Sequence, residues 1–262
     1  MSLILLGVGA LVLAYCARYF REHEAKDAVF GGQLLAFAGA MFGLVTTDDL
    51  MVLYTFWEVT SVLSFLLIGY SGHRIFARRS AITALIVTTV GGLAMLAGLI
   101  MLAHMAGSWR ISGVLAAAPG LLADAGLRGL LEVAVGLVLI GALTKSAQAP
   151  FHFWLPGAMA APTPVSAYLH AAAMVKAGVY LVAVLAPSFA DVPFWRPAVL
   201  LLGTGGVPSL DVLQRAIEAS GTQIVTAFLI ILPFVSRIER PLPLPNSITE
   251  AVTGKPLDPA AA

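Results

Sequence analysis

The chain has 262 residues, of which 59% are hydrophobic and 11% charged, and a mean hydropathy of +0.92; this excludes an ordinary soluble domain and indicates an integral membrane protein. A formal net charge of +1 supplies neither a basic field for nucleic acid nor an acidic tail, so partners are expected within the bilayer and among small ions. The lone Cys16 excludes an internal disulfide and a thiolate metal cluster.

A hydrocarbon core of about 30 Å needs roughly 20 apolar residues at 1.5 Å rise each. Runs of that kind predict seven spans, at 2–19, 29–47, 50–70, 80–105, 129–148, 164–187 and 217–236. The first run, "MSLILLGVGALVLAYCARYF", has no Lys or Arg before its apolar part, and bulky Tyr15 precedes Cys16 where a processing site needs a small residue. It therefore reads as a retained spanning helix rather than a secretory signal. The links "REHEAKD", "TTDD" and "SGHRIFARRS" are short and polar, while residues 106–128 form a longer Gly- and Ala-rich connection. The first link carries Arg18, Arg21 and Lys26 and the third Arg74, Arg78 and Arg79, while the second has no basic residue. The positive-inside rule then predicts an outside N-terminus and a cytoplasmic C-terminus, where Arg237, Arg240 and Lys255 follow the last span.

Near the C-terminus the pattern changes. The apolar run "PAVLLLGTGGV" stops at about half the length of a crossing, and the amphipathic "PSLDVLQRAIEAS" follows it. A junction is expected near Gly205. The expected organisation is a transmembrane bundle over residues 1–205, an amphipathic segment and final helix over 206–236, and an extended Pro-rich cytoplasmic tail over 237–262.

Ionisable groups at membrane depth cost about 2.5–3.5 kcal/mol on insertion scales, so each needs a reason. Between Asp49 and Arg74 the one charged residue is Glu58; between Glu132 and Asp191 there are only Lys145 and Lys176. Glu58 is a candidate ion-path carboxylate, against the alternative of a protonated packing group. Lys145 is a candidate switching base, against snorkelling, which the apolar sequence through Leu155 disfavours. In "TKSAQAPFHFW" Lys145, Gln148 and His152 have helical spacing, but Pro150 lacks an N–H and clashes with the carbonyl of Ser146. A helix break at Pro150 is expected, freeing backbone groups near Lys145, as at transporter ion sites. Thr163 and Pro164 are suited to N-cap the next helix, which carries His170 and Lys176 as successive stations rather than one site. His170 alone is equally a hydrogen-bonded packing residue. His23, His73, His104, His152 and His170 show neither haem-stacking spacing nor a metal-ligand cluster, so no cofactor is expected.

The stretches "DDLMVLYTFWEVTSVLSFLLIGY", "GALTKSAQAPFHFWLPGAM" and "APTPVSAYLHAAAMVKAGVYLVA" resemble the antiporter-like family shared by Mrp-type Na⁺/H⁺ antiporters and the proton-pumping subunits of complex I. Lys176 in "AMVKAGVY" makes the likeness strongest to the large, A-type component of Mrp. The resemblance implies an all-α fold with one broken helix, and a proton path running from Glu58 and Lys145 to His170 with Lys176; His152, just beyond the break, is a candidate onward station by its place in the sequence. It implies that Glu58 tunes the proton affinity of Lys145, since burial disfavours an ammonium and a carboxylate favours it. Gly157 and Ala160 stand where the family has acids, and Ala173 where Thr is common. Family members carry two inverted five-helix repeats, so the chain is expected to supply one half-channel. The end of the chain, "LPFVSRIERPLPLPNSITEAV", is similar instead to the last helix and tail of bacterial cytochrome b.

The function this implies is a proton/cation-translocating subunit, not an enzyme, in the bacterial inner membrane, working with other antiporter-complex subunits on H⁺ and Na⁺. The alternatives are a pumping subunit of complex I or a membrane hydrogenase, and a non-conducting structural remnant.

Overall fold

The computed structural model describes residues 2–19, 24–71, 74–159, 161–162, 166, 168–169, 173–192, 195–196 and 199. The expected final span, the amphipathic segment, the Pro-rich tail and the cytochrome b-like stretch lie outside these residues, as do His23, His73, Ala160, Thr163, Pro164 and His170. Among the described residues the architecture is helical, with no strand. The helices are α1 (Ser2–Tyr19), α2 (Glu24–Thr46), α3 (Leu50–Ile68), α4 (Ile75–Ala106), α5 (Ile111–Ala123), α6 (Arg128–Lys145), α7 (Trp154–Ala158) and α8 (Met174–Phe189). Among the described residues three stretches, Val29–Thr46, Leu50–Ile68 and Ile75–Ala106, are long and apolar enough to cross a membrane.

The helices are positioned by small residues and caps. Asp49, extended at φ −102° and ψ 132°, caps α3 by accepting from the N–H groups of Met51 (2.8 Å) and Val52 (2.9 Å). α4, at 32 residues, is the central helix and packs along α3, α6 and α7. Glycines let α4 and α6 approach closely. A Cβ on Gly98 would meet the Ala134 carbonyl at 2.5 Å, and one on Gly141 would meet Met95 Cβ at 2.5 Å. One on Gly91 would overlap Thr144. Residue numbers rise along α4 as they fall along α6, so the two helices are antiparallel.

The 106–128 connection is not merely a link. Residues 111–123 form α5, which at 13 residues and about 20 Å is too short to cross the bilayer. Because α4 and α6 are antiparallel, α5 leaves and returns at one end of the bundle. Its start is tied to the α2–α3 link: the Asp48 carboxylate accepts from Ser112 N (2.9 Å) and Oγ (2.6 Å), and Leu50 N donates to Trp109 O (2.9 Å). The Ser112 bonds hold the Asp48 carboxyl below its ordinary range. Pro119 inside α5 has no N–H for the Leu115 carbonyl, and Ser188 Oγ of α8 donates to that carbonyl instead at 3.2 Å. One proline thus helps dock α8 on α5.

Side chains such as Leu11, Phe76 and Leu93 are exposed, while the buried set is mostly apolar, with Lys145 and a few Ser and Thr hydroxyls among it. An apolar rim around an apolar core is what a lipid environment requires, since outward-facing leucines cost nothing there.

Candidate functional site

The buried positions of α3 include Leu53, Trp57, Thr60, Ser61, Ser64 and Leu67, a three- and four-residue spacing that sets one face against the bundle interior. Apolar residues make its ends, and hydroxyls make its middle. Lys145, the last residue of α6, is fully buried against that middle. Its Nζ donates to the Trp57 carbonyl, to Thr60 Oγ1 at 2.6 Å and to Ser61 Oγ at 3.0 Å, and it sits 4.7 Å from the centroid of the Trp57 ring. Three hydrogen bonds and an aromatic face therefore replace the water that a buried ammonium has lost.

Glu58 is the next residue along α3 after Trp57, but it turns toward α4. It is half-buried, and its Oε1 is enclosed with no hydrogen-bond partner. A Cβ on Gly92 would overlap that oxygen, so the missing side chain makes the recess the carboxylate occupies. Glu58 and Lys145 interact electrostatically without an ion pair; the one ion pair among the described residues joins Arg128 and Glu132 at 3.5 Å.

The break after Lys145 differs from the expected one. α6 ends five residues before Pro150, in a Schellman turn: Ala147 is left-handed at φ 50°, Gln148 N donates to Leu143 O (3.0 Å), and Ala147 N donates to Thr144 O (3.2 Å). The Thr144 carbonyl also accepts from Trp154 Nε1 at 3.0 Å, and the Ser146 carbonyl accepts from Gln148 Nε2 at 3.0 Å. The carbonyls expected to be freed near Lys145 are therefore engaged by the turn. What the break supplies is a chain end for the lysine rather than carbonyl ligands. Ser146 Oγ donates to Val175 O (2.7 Å), and Gly178 lies against the Ala142 carbonyl, which joins the start of α8 to the end of α6.

Of the other sequence-derived residues, His152 and Lys176 are not buried with this centre. His152 and Lys176 are exposed, His152 after the break and Lys176 in the first turn of α8. His170 lies outside the described residues. Sequence reasoning missed Thr60, Ser61 and Gly92. Thr60 and Ser61 were visible as small polar residues three and four positions after Trp57 on the inward face, whereas Gly92 carried no signal separate from the many other glycines. Among the described residues no group of three or more His, Cys, Asp or Glu side chains converges on a possible metal position.

Residues 47–207 match the family described as NADH:quinone oxidoreductase/Mrp antiporter, transmembrane. The chain is 49% identical over 202 residues to the A/B component of a probable K⁺/H⁺ antiporter of Rhizobium meliloti, covering 77% of this chain and 20% of that protein. It is 44% identical over 227 residues to the A component of the Na⁺/H⁺ antiporter of Alkalihalophilus pseudofirmus, covering 87% and 28%. The chain thus spans between a fifth and a third of the length of these relatives. Its fold is similar to a chain of the Mrp complex from Dietzia sp., with a TM-score of 0.68 and 41% identity over 78% of this chain and 22% of that one. A chain of the archaeal membrane-bound sulfane sulfur reductase shares the fold at TM-score 0.66 and 22% identity, over 78% of this chain and 41% of that one. On the match to residues 47–207, which covers more than half of its length, the chain belongs to the NADH:quinone oxidoreductase/Mrp antiporter transmembrane family.

Proposed function

We propose that this chain is an ion-translocating membrane component of an Mrp-type complex that exchanges protons for a monovalent cation, and that Glu58 and Lys145 carry the proton-linked step. The observation that carries this reading is the fully buried Lys145 ammonium at the end of an interrupted helix, beside an acid with an unpartnered oxygen. A protein does not retain two such groups for packing, because apolar residues of similar volume would serve at least as well. Burial and a nearby carboxylate oppose one another on the lysine, so a small movement of either group switches it between holding and releasing a proton.

His152, His170 and Lys176 continue the path away from this pair. Lys176 supports the assembly part of the proposal. It sits two residues before Gly178, which packs on α6 at the level of Lys145, yet it is exposed. A lysine facing lipid at that depth costs about 2.5–3.5 kcal/mol, so further protein covers it in the working assembly. The basic links before α2 and before α4 lie in the cytoplasm, with α5 on the outer side. Residues 1–205 act as the ion-translocating bundle.

The test is cation exchange driven by a pH gradient in proteoliposomes of the assembled complex. Lys145→Ala and Glu58→Ala each abolish exchange while the complex still assembles. Wild-type rates in both variants would refute the proposal.

A further inference from the structure

The surroundings of the Lys145 nitrogen match one protonation state. An ammonium has three N–H donors and no lone pair, whereas a neutral amine has two donors and one lone pair. The three polar neighbours are all oxygens: the Trp57 carbonyl, Thr60 Oγ1 and Ser61 Oγ. A carbonyl can only accept. The hydroxyls have an acceptor of their own in the same carbonyl, with Thr60 Oγ1 at 2.7 Å from Trp57 O and Ser61 Oγ at 3.2 Å. A hydroxyl whose hydrogen points to that carbonyl presents lone pairs to the lysine. A neutral amine in the same place would leave its lone pair facing an acceptor unless one hydroxyl turned its hydrogen away from Trp57 O toward the nitrogen, so the ammonium fits without that rearrangement and the amine does not.

Resting on the transport reading above, we infer that Thr60 and Ser61 are positioning residues that form a cage favouring protonated Lys145, so that release of its proton requires the lysine or a hydroxyl hydrogen to move. The cage is a neutral station distinct from Glu58. It holds the ammonium without an ion pair, and so leaves the Glu58 carboxylate free beside Gly92. The charges around it are few. Glu58 acts on Lys145 from α3; α4 carries Arg78, Arg79 and His104 toward its ends; α8 carries exposed Lys176 and Tyr180, whose hydroxyl donates to Val45 O at 2.8 Å.

The direct test titrates Lys145 itself, following its isotope-labelled side-chain nitrogen by magnetic resonance in the full chain in lipid, with the signal assigned through Lys145→Ala. In Thr60→Val, which keeps the shape and removes the acceptor, the titration midpoint falls by about one pH unit, the size of one hydrogen bond to a charged group. Ser61→Ala gives a similar fall, and Thr60→Ser returns the midpoint to that of the wild type. A merely structural role moves neither midpoint, and unchanged midpoints in both Thr60→Val and Ser61→Ala overturn the cage. If Thr60→Val does not fold, Ser61→Ala alone decides it. A wild-type complex without exchange, but with these shifts present, would refute the transport reading and leave the cage standing.

Discussion

Glu58 and Gly92 form a pair in which the smaller residue decides what the larger one can do. The atom in the way of a Cβ at Gly92 is Glu58 Oε1, the far end of a flexible side chain. At Gly98 the obstacle is the Ala134 carbonyl, held rigidly by α6. The same substitution should therefore have opposite consequences at the two places. Gly92→Ala displaces the carboxylate and lowers cation exchange about tenfold, the effect of about 1.4 kcal/mol at the transport step, with stability changed by less than about 0.5 kcal/mol. Gly98→Ala forces the helices apart and costs about 1–3 kcal/mol of stability. Thermal unfolding and exchange assays on both variants separate the cases, and equal loss of stability in the two would contradict the recess. At this scale the charged residues were legible in the sequence and their partners were not. Glu58 and Lys145 stood out because little else in their spans is charged. Thr60 and Ser61 looked like ordinary helix hydroxyls returning their hydrogens to the preceding turn, which they also are. Only the fold brings a nitrogen from 85 residues away to the lone pairs left over.

The end of α6 shows how a helix can stop without a glycine. Ala147 holds φ 50°, a region that costs an L-residue about 1–2 kcal/mol, and it does so at the position where Schellman turns most often carry Gly. Ala147→Gly therefore stabilises the chain by about 0.5–1 kcal/mol, after the greater flexibility of glycine in the unfolded chain is deducted. A melting temperature equal to or below that of the wild type would show the turn to be unstrained. Pro150 was the obvious breaker by sequence, but the turn closes earlier because the amides of Ala147 and Gln148 find carbonyls within α6. Without a Gly at 147, no residue type marked that position. α5 was illegible for a related reason. It is too short to register as a span, it contains Pro119, and the contact that compensates for this proline comes from Ser188 on another helix.

Across the molecule, the apolar pattern located the long helices well, because length and hydropathy are what a bilayer demands of each segment independently. Which ends face which compartment depends on charge in the links, and there the proposal is open to a direct check. In a Cys16→Ser background, a cysteine at Arg74 before α4 reacts with a membrane-impermeant reagent only from the cytoplasmic side, and one at Ser108 after α4 only from the outside. The reverse pattern would invert the orientation while leaving the helix packing as described. The relatives that the chain matches are several times longer than it is, and the proposed cover for Lys176 is to be sought in such additional protein.

The complete enclosure of Lys145 also bears on the tempo of transport. A base in a wet channel exchanges protons as fast as water reaches it, but this nitrogen is fully buried, with its three donors directed at protein oxygens. On the proposed reading, a proton held by Lys145 is released only when α3 and the end of α6 part. The turnover of the step then follows the frequency of that separation rather than the proton concentration on either side.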